Sequence, residues 1–257
     1  MTTERIIGDN VQIECSRVHK FYEQRARQLG NDLSAVNLTG NPDVSQKRDA
    51  LEKKTVLSLL NLKGSESVLE IGCGLGRFPE ALYGRIRLYL GVDQSAEMIR
   101  IAHIRHRRHP EIRFQSLTAE EIAPGSLLHP PPFDLLLTMG LFVYLNDVAA
   151  DALVRTMGML AATECRIYVR ETVSLIGRRL TLNNFFSQEL GERYSAIYRT
   201  PEEYEAMFRK HLFPIGFTTE SSDWLLTKEL GARKETNQRF FLLSRKGRRE
   251  SENGVLL

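Results

Sequence analysis

The sequence predicts an α/β protein: a doubly wound, mostly parallel sheet of seven strands with helices on both faces, a helical lid before it and an insertion after the fifth strand. Three observations carry that expectation. The run Val68-Leu69-Glu70-Ile71 breaks into glycines at 72, 74 and 76, as where a buried strand turns sharply into a helix and bares its backbone. About twenty residues on, a second apolar run, Tyr89-Leu90-Gly91-Val92, closes on Asp93, the position of a ribose-binding acid in such folds. From there to Ser244, short apolar runs alternate with segments of helical periodicity, which favours parallel strands joined by crossover helices.

Before the alternation, Val18, Phe21, Tyr22, Ala26 and Leu29 recur with helical spacing, Gly30-Asn31 reads as a stop, and Gly40-Asn41-Pro42 as a loop. Residues 1–42 are thus set apart as a lid segment, and 43–246 form the main domain. Asp43 or Ser45 would cap a helix to about Leu62, burying Ala50, Leu51, Val56, Leu57 and Leu60. The first strand would be followed by a helix from Arg77 to Gly84, a strand to Val92, and a helix from Ala96 to Arg107 capped by Ser95. That helix carries Arg100, Arg105, Arg107 and Arg108 among His103, His106 and His109. It is either a solvated basic face or a dock for an acidic partner.

The third strand is Ile112–Ser116, with Thr118-Ala119-Glu120-Glu121 as a capping box, and the fourth is Phe133–Thr138. Asn146 or Asp147 starts a helix through Leu160, and Arg166–Arg170 is the fifth strand. In 172–199 the alternation pauses in an aromatic stretch, read as a substrate cover. Thr200-Pro201-Glu202-Glu203 opens a helix to about Lys210. Phe217–Leu226 and Arg239–Ser244 close the sheet, and 247–257 reads as a flexible tail.

The bulk properties exclude several classes. In 257 residues, 42% apolar and 26% charged residues describe a globular chain with a sizeable core. A net charge of +3 does not announce a nucleic-acid binder. Three scattered cysteines suggest neither a disulfide framework nor a metal site, so a cytoplasmic setting is expected. No apolar core follows Glu4 and Arg5, as a signal peptide would require, and Leu135–Leu145 is too short to span a membrane.

The glycine pattern separates ligands. A dinucleotide turn has G-x-G-x-x-G, but the third position counted from Gly72 is Arg77. Taken together, Glu70-x-Gly72-x-Gly74-x-Gly76, Gly91-Val92-Asp93-x-Ser95-x-x-Met98, Leu117-Thr118-Ala119-Glu120 and Phe133-Asp134-Leu135-Leu136-Leu137-Thr138-Met139-Gly140 resemble the class I S-adenosylmethionine-dependent methyltransferases of small-molecule type. The resemblance covers roughly Lys47 to Lys246. It implies S-adenosylmethionine as cofactor, with Gly72, Cys73, Gly74 and Gly76 along its amino-acid part and ribose. Asp93 would take the ribose hydroxyls, and Gln94 and Met98 would flank the adenine. Glu70 would lie near the ammonium, and Met139 and Gly140 beneath the methionine moiety. The family's acid for the adenine amine is replaced by Thr118, leaving that contact to Thr118, Ala119 or Glu120. Tyr22 and Arg25 resemble lid residues that reach the cofactor carboxylate.

Tyr144 stands where related enzymes often have histidine, which favours proximity over strong base catalysis; Glu171 is the candidate base, and both are candidate catalytic residues. Substrate contacts are expected from Tyr144, Glu171, Tyr194, Tyr198 and Arg199. The prolines at 130–132 precede strand four rather than follow it, so the base-methylating signature is absent. The expected acceptor is a small molecule methylated on oxygen or nitrogen. The alternative is RNA or protein docked on the basic helix.

Overall fold

The computed structural model describes residues 4–8, 11–39, 41–230 and 233–247; the expected tail beyond 247 lies outside them. Its main sheet holds seven strands: β2 (Ser67–Ile71), β3 (Leu88–Asp93), β4 (Ile112–Ser116), β5 (Phe133–Met139), β6 (Ala161–Ser174), β9 (Thr218–Trp224) and β10 (Thr236–Arg245), in the order β4-β3-β2-β5-β6-β10-β9. The first five are mutually parallel, whereas β10 runs antiparallel to both β6 and β9. Order reverses between β2 and β5, the place where open α/β sheets bind ligands. A second sheet joins β1 (Arg5–Ile7) to the hairpin β7 (Leu180–Ser187) and β8 (Glu192–Tyr198). The stretch read as a substrate cover forms this hairpin, with a strand from the amino-terminal segment added to its edge.

The helices are α1 (Cys15–Leu29), α2 (Ser34–Asn37), α3 (Pro42–Leu60), α4 (Ala96–Arg105), α5 (Asp147–Leu160) and α6 (Pro201–His211). On one face of the sheet α5 and α6 bury Leu153, Met157, Tyr204 and Phe208. On the other, α3 contributes Val56 and Leu60 to a layer with Phe78, Tyr89 and Phe114. The capping box of α6 forms as read, with Thr200 and Glu203 satisfying each other's backbone N–H groups.

Several expectations are corrected. No α-helix follows the glycine turn: a 3-10 helix over Pro79–Leu82 is all that fits between Pro79, which lacks a donor, and the turn at Gly84. Thr118–Glu121 starts no helix either. Glu121 accepts from the Thr118 N–H at 2.8 Å and hydroxyl at 3.0 Å, closing a turn before Pro124. The cap of α3 is Asn41, one residue before Pro42, accepting from the Asp43 and Val44 amides.

The buried stripe of α3 is Ser45, Asp49, Glu52, Val56 and Leu60, while Ala50 is exposed and Leu51 half-buried. The acids are inward because arginines from two other elements await them. Arg77 Nη1 donates to Asp49 at 2.7 Å and its Nη2 to Glu52. Arg170 on β6 donates twice to Glu52, at 2.5 and 3.1 Å. All four side chains are buried.

The basic helix is less available than its sequence suggests. Arg100 pairs with Glu97, Arg105 with Glu80, and His106 is buried, its Nε2 2.6 Å from the Gly76 carbonyl oxygen.

Removing one partner of a buried ion pair strands the other charge and costs about 3–5 kcal/mol. Glu52→Ala therefore loses stability of that order, read as a lower urea midpoint. The paired guanidiniums overcome burial and hold Glu52 at about 2, below its ordinary 4.5. A carboxyl lowered in this way contributes stability that is complete above pH 4.5 and is lost as pH falls toward 2. Glu52→Gln should lack that acid-side component.

Candidate functional site

The crevice opens at the carboxyl ends of β2, β3 and β5, and its geometry starts from the glycine turn. The N–H groups of Gly72 and Cys73 both donate to the Val92 carbonyl, at 2.7 and 3.0 Å, and Gly74 N–H donates to Asp93 Oδ2 at 2.9 Å. The turn is thereby clamped to the end of β3. Asp93 Oδ1 accepts from the Ser95 amide at 2.9 Å. Ser95 caps α4 through Met98 N–H, and its hydroxyl donates to Glu23 on α1 at 2.6 Å. Burial raises the Asp93 carboxyl above its ordinary range while these amides pull it back. Each carboxylate oxygen keeps acceptor capacity beyond one amide, and Asp93 lines a cavity.

Two of the glycines answer different demands. Gly74 has φ +52, and a Cβ there would stand 2.9 Å from Val36 Cγ1 of α2, so the turn is closely roofed. Gly76, at φ +64, would press a Cβ within 3.0 Å of Ala102 and the Phe114 ring. It lets the turn pack on α4 and β4 and does not line the crevice, a departure from the role expected of it.

Two cavities meet over the turn. The first, about 880 Å³ including its mouth, is lined by Tyr22, Gly72, Gly74, Asp93, Gln94, Met98, Ala119, Glu120, Met139 and Gly140, with apolar Ile71, Leu117 and Leu141 between them. The second, about 1070 Å³ on the same measure, is lined by Glu70, Cys73, Tyr144, Tyr194 and Tyr198, together with Arg48, Arg77, Arg170, Arg233, Thr236, Asn237 and Gln238. Val36, Gly72, Gly74, Met139, Gly140 and Tyr144 line both and mark the passage between them.

Four expected residues turn away from the cavities. Arg25 is buried and spends its guanidinium on Glu192 and the Ser34 and Ala35 carbonyls, tying α1 to α2 and to the hairpin. Thr118 is engaged by Glu121, leaving its neighbours Leu117, Ala119 and Glu120 to face the ligand. Arg199, 1% exposed, holds Asp147 and the carbonyls of Phe142 and Leu145. Glu171, fully buried, accepts from the N–H groups of Leu141 and Phe142 at 2.9 and 3.0 Å and of Val143 at 3.4 Å. Burial raises this carboxyl above its ordinary range while the amides pull it back, and the three bonds hold the turn after β5.

The titrating groups that do face the second cavity are Glu70 and the tyrosines. Burial pushes Glu70 up to about 7, although Tyr89 donates its hydroxyl at 2.5 Å and Arg77 is near. Burial also holds Tyr144 and Tyr198 well above the ordinary phenol range, so their hydroxyls stay protonated. The Tyr194 and Tyr198 hydroxyls lie 3.2 Å apart, and the Tyr22 and Tyr144 rings meet edge-on at 5.1 Å. Sequence reading did not single out Arg48, Arg77, Arg170 or Arg233. The one available signal was Arg170 inside an apolar strand run, which demands a buried partner.

Comparison with known proteins agrees with this geometry. Residues 68–162 match the sequence model of a methyltransferase domain. The ubiquinone biosynthesis O-methyltransferase of Rhodopseudomonas palustris is 28% identical over 200 residues, 74% of each chain. The phosphoethanolamine N-methyltransferase of Triticum aestivum is 27% identical over 153 residues, covering 60% of this chain, which spans only 29% of that enzyme's length. Among solved structures, phosphoethanolamine N-methyltransferase 1 of Haemonchus contortus, in complex with phosphoethanolamine and S-adenosylhomocysteine, superposes with a TM-score of 0.71. That likeness covers 94% of this chain and 51% of the other at 17% identity, and it is one of fold. Fold and site thus define a Rossmann-like methyltransferase domain. Residues 68–162 of the chain carry the sequence of a methyltransferase domain, and the fold is the one that solved S-adenosylmethionine-dependent methyltransferases share.

Glu171→Gln turns an amide NH2 toward backbone donors, and leaving buried donors unmade costs about 1–3 kcal/mol. A lower urea midpoint is expected, with Glu171→Ala lower still. A midpoint equal to wild type would show that the turn does not depend on this carboxylate.

Proposed function

We propose that the protein transfers the methyl group of S-adenosylmethionine to an oxygen or nitrogen atom of a small-molecule acceptor, chiefly by proximity and orientation. The observation that carries this reading is the passage at Gly72, Met139, Gly140 and Tyr144, where a nucleoside-sized cavity ending on Asp93 opens into a separate polar chamber. The relatives that act on small molecules support it.

The residues fit the cofactor. Asp93 lies in the first cavity with both oxygens oriented by backbone amides, as two ribose hydroxyls require. Gln94, Met98, Leu117, Ala119 and Glu120 give the adenine polar edges and apolar faces. Gly72 and Gly74 let the chain pass close to the ligand, and Glu70 offers the buried carboxyl for its ammonium. Bound there, the cofactor supplies a sulfonium whose methyl is already activated for in-line displacement.

What this chain adds is alignment and exclusion of water, and fixed orientation of two reactants is worth roughly 7–11 kcal/mol. Met139 and Gly140 form the floor of the passage, held by the Glu171-clamped turn. Tyr144 closes its side as a protonated hydroxyl that can donate to, but not deprotonate, the acceptor. With Glu171 engaged by amides and the phenols kept neutral, the acceptor is one that needs no strong base: an amine, an acidic hydroxyl or a ring nitrogen. Arg199, Arg25, Thr118 and Gly76 act here as structural supports of that passage.

Two measurements test this. Losing a charge-assisted bidentate contact costs about 1.5–3 kcal/mol, so Asp93→Ala should weaken S-adenosylhomocysteine binding about 10- to 100-fold by calorimetry. A wild-type chain that binds neither form of the cofactor overturns the reading. Free Glu70 stays protonated up to about pH 7, whereas an ammonium beside it favours the carboxylate. Affinity should therefore rise between pH 5.5 and 7 with proton release, and Glu70→Gln should flatten the rise.

A further inference from the structure

We infer that the second chamber takes an acceptor bearing an anionic group, a carboxylate or a phosphate, held between Arg48 and Arg233. This rests on the two-cavity reading above, since it assigns what lies beyond the transfer point.

Among the charged side chains lining the chamber four are arginines, and Glu70 is the one acid. The arginines fall into two pairs. Arg77 and Arg170 are buried and paired with Asp49 and Glu52, which fixes them as a wall of the chamber. Arg48 and Arg233 come from separate elements, α3 and the segment leading into β10. Arg48 is anchored by its Nε, which donates to the Leu230 carbonyl at 2.6 Å in the turn just before Arg233. Arg233 is half-exposed and meets Glu189 of the β7–β8 turn at 2.6 Å.

Burial holds Arg48 below the ordinary arginine range; the Glu189 carboxylate opposes it, and the like charges of Arg233 and Arg170 add to it by smaller amounts. Glu189 offsets part of the positive charge that Arg48 and Arg233 bring to the chamber, and a planar guanidinium fork suits the oxygens of both candidate groups. Around them stand neutral hydrogen-bonding residues, Thr236, Asn237 and Gln238. Tyr194 and Tyr198 line the same chamber, and Tyr144 borders the passage to the cofactor cavity. An acceptor with its reacting atom by Tyr144 and its anion between Arg48 and Arg233 would fill the chamber from end to end.

The test is thermal melting of the full chain, with and without saturating S-adenosylhomocysteine, in inorganic phosphate or sodium acetate against sodium chloride of equal ionic strength. Selective anion binding should raise the wild-type midpoint by about 2–4 °C, and the rise should vanish in Arg48→Met/Arg233→Met. Binding of S-adenosylhomocysteine should stay within twofold of wild type. Arg233→Gln alone, at an exposed position, should remove at least half of the rise, which guards against misfolding of the double variant. A response to phosphate alone assigns a phosphate, and an equal response to acetate assigns a carboxylate. Equal midpoints in all three salts, or a rise that survives both substitutions, overturns the inference. Failure to bind S-adenosylhomocysteine sinks the methyl-transfer reading instead, and the titration without it still decides this one.

Discussion

The structure depends on one carboxylate shared by two arginines. Glu52 of α3 receives Arg77, which follows the glycine turn, and Arg170, which ends the central part of β6. An apolar helix face can slide by a residue and still bury its area. A buried charge cannot, because every displaced pairing leaves an uncompensated ion in a low dielectric. The network therefore fixes the register of α3 against the sheet, and with it the wall that Arg77 and Arg170 present to the second cavity. Asp49, three residues before Glu52 on the same helix face, completes the grip on Arg77.

The acids around the crevice share a habit. Asp93, Glu121 and Glu171 each accept from backbone amides, and in doing so set the shape of a loop at the carboxyl end of a strand. Each of these carboxylates sets local geometry, and Asp93 lines the first cavity as well. This suits the proposed reaction, whose electrophile arrives already charged and whose main demand on the protein is alignment. The buried, protonated tyrosines fit the same division of labour: they shape and donate, and leave reactivity to the reactants.

Much of this was legible in the residues. The alternation of short apolar runs with periodic segments gave all seven strands of the main sheet, most sharply at β2 and β5, which are buried on both faces and so nearly continuously apolar. The glycine turn and Asp93 were legible because few other residue types meet their demands. Binary patterning failed where charge went inward: α3 was read as burying Ala50 and Leu51, since nothing local says that Asp49 and Glu52 have partners 25 to 118 positions away. For the same reason nothing local showed that Glu171 would be engaged by loop amides or Arg199 by Asp147. Charged residues at strand ends and in covers are usually functional, but whether a loop amide or an ion partner already occupies them is decided in three dimensions. Arg48 and Arg233 were invisible for the converse reason, being ordinary surface charges until the fold brings them to one chamber.

The small sheet above the crevice has a consequence for how the molecule is made. Strand β1 pairs with β7 across about 175 residues of chain, so during synthesis it has no partner in its sheet until the hairpin emerges. At 5–20 residues per second that is a wait of roughly 9–35 seconds. Through that interval its open edge must be shielded by something other than its final partner. The chamber is completed later still, by Arg233, Thr236, Asn237 and Gln238, which follow the hairpin along the chain.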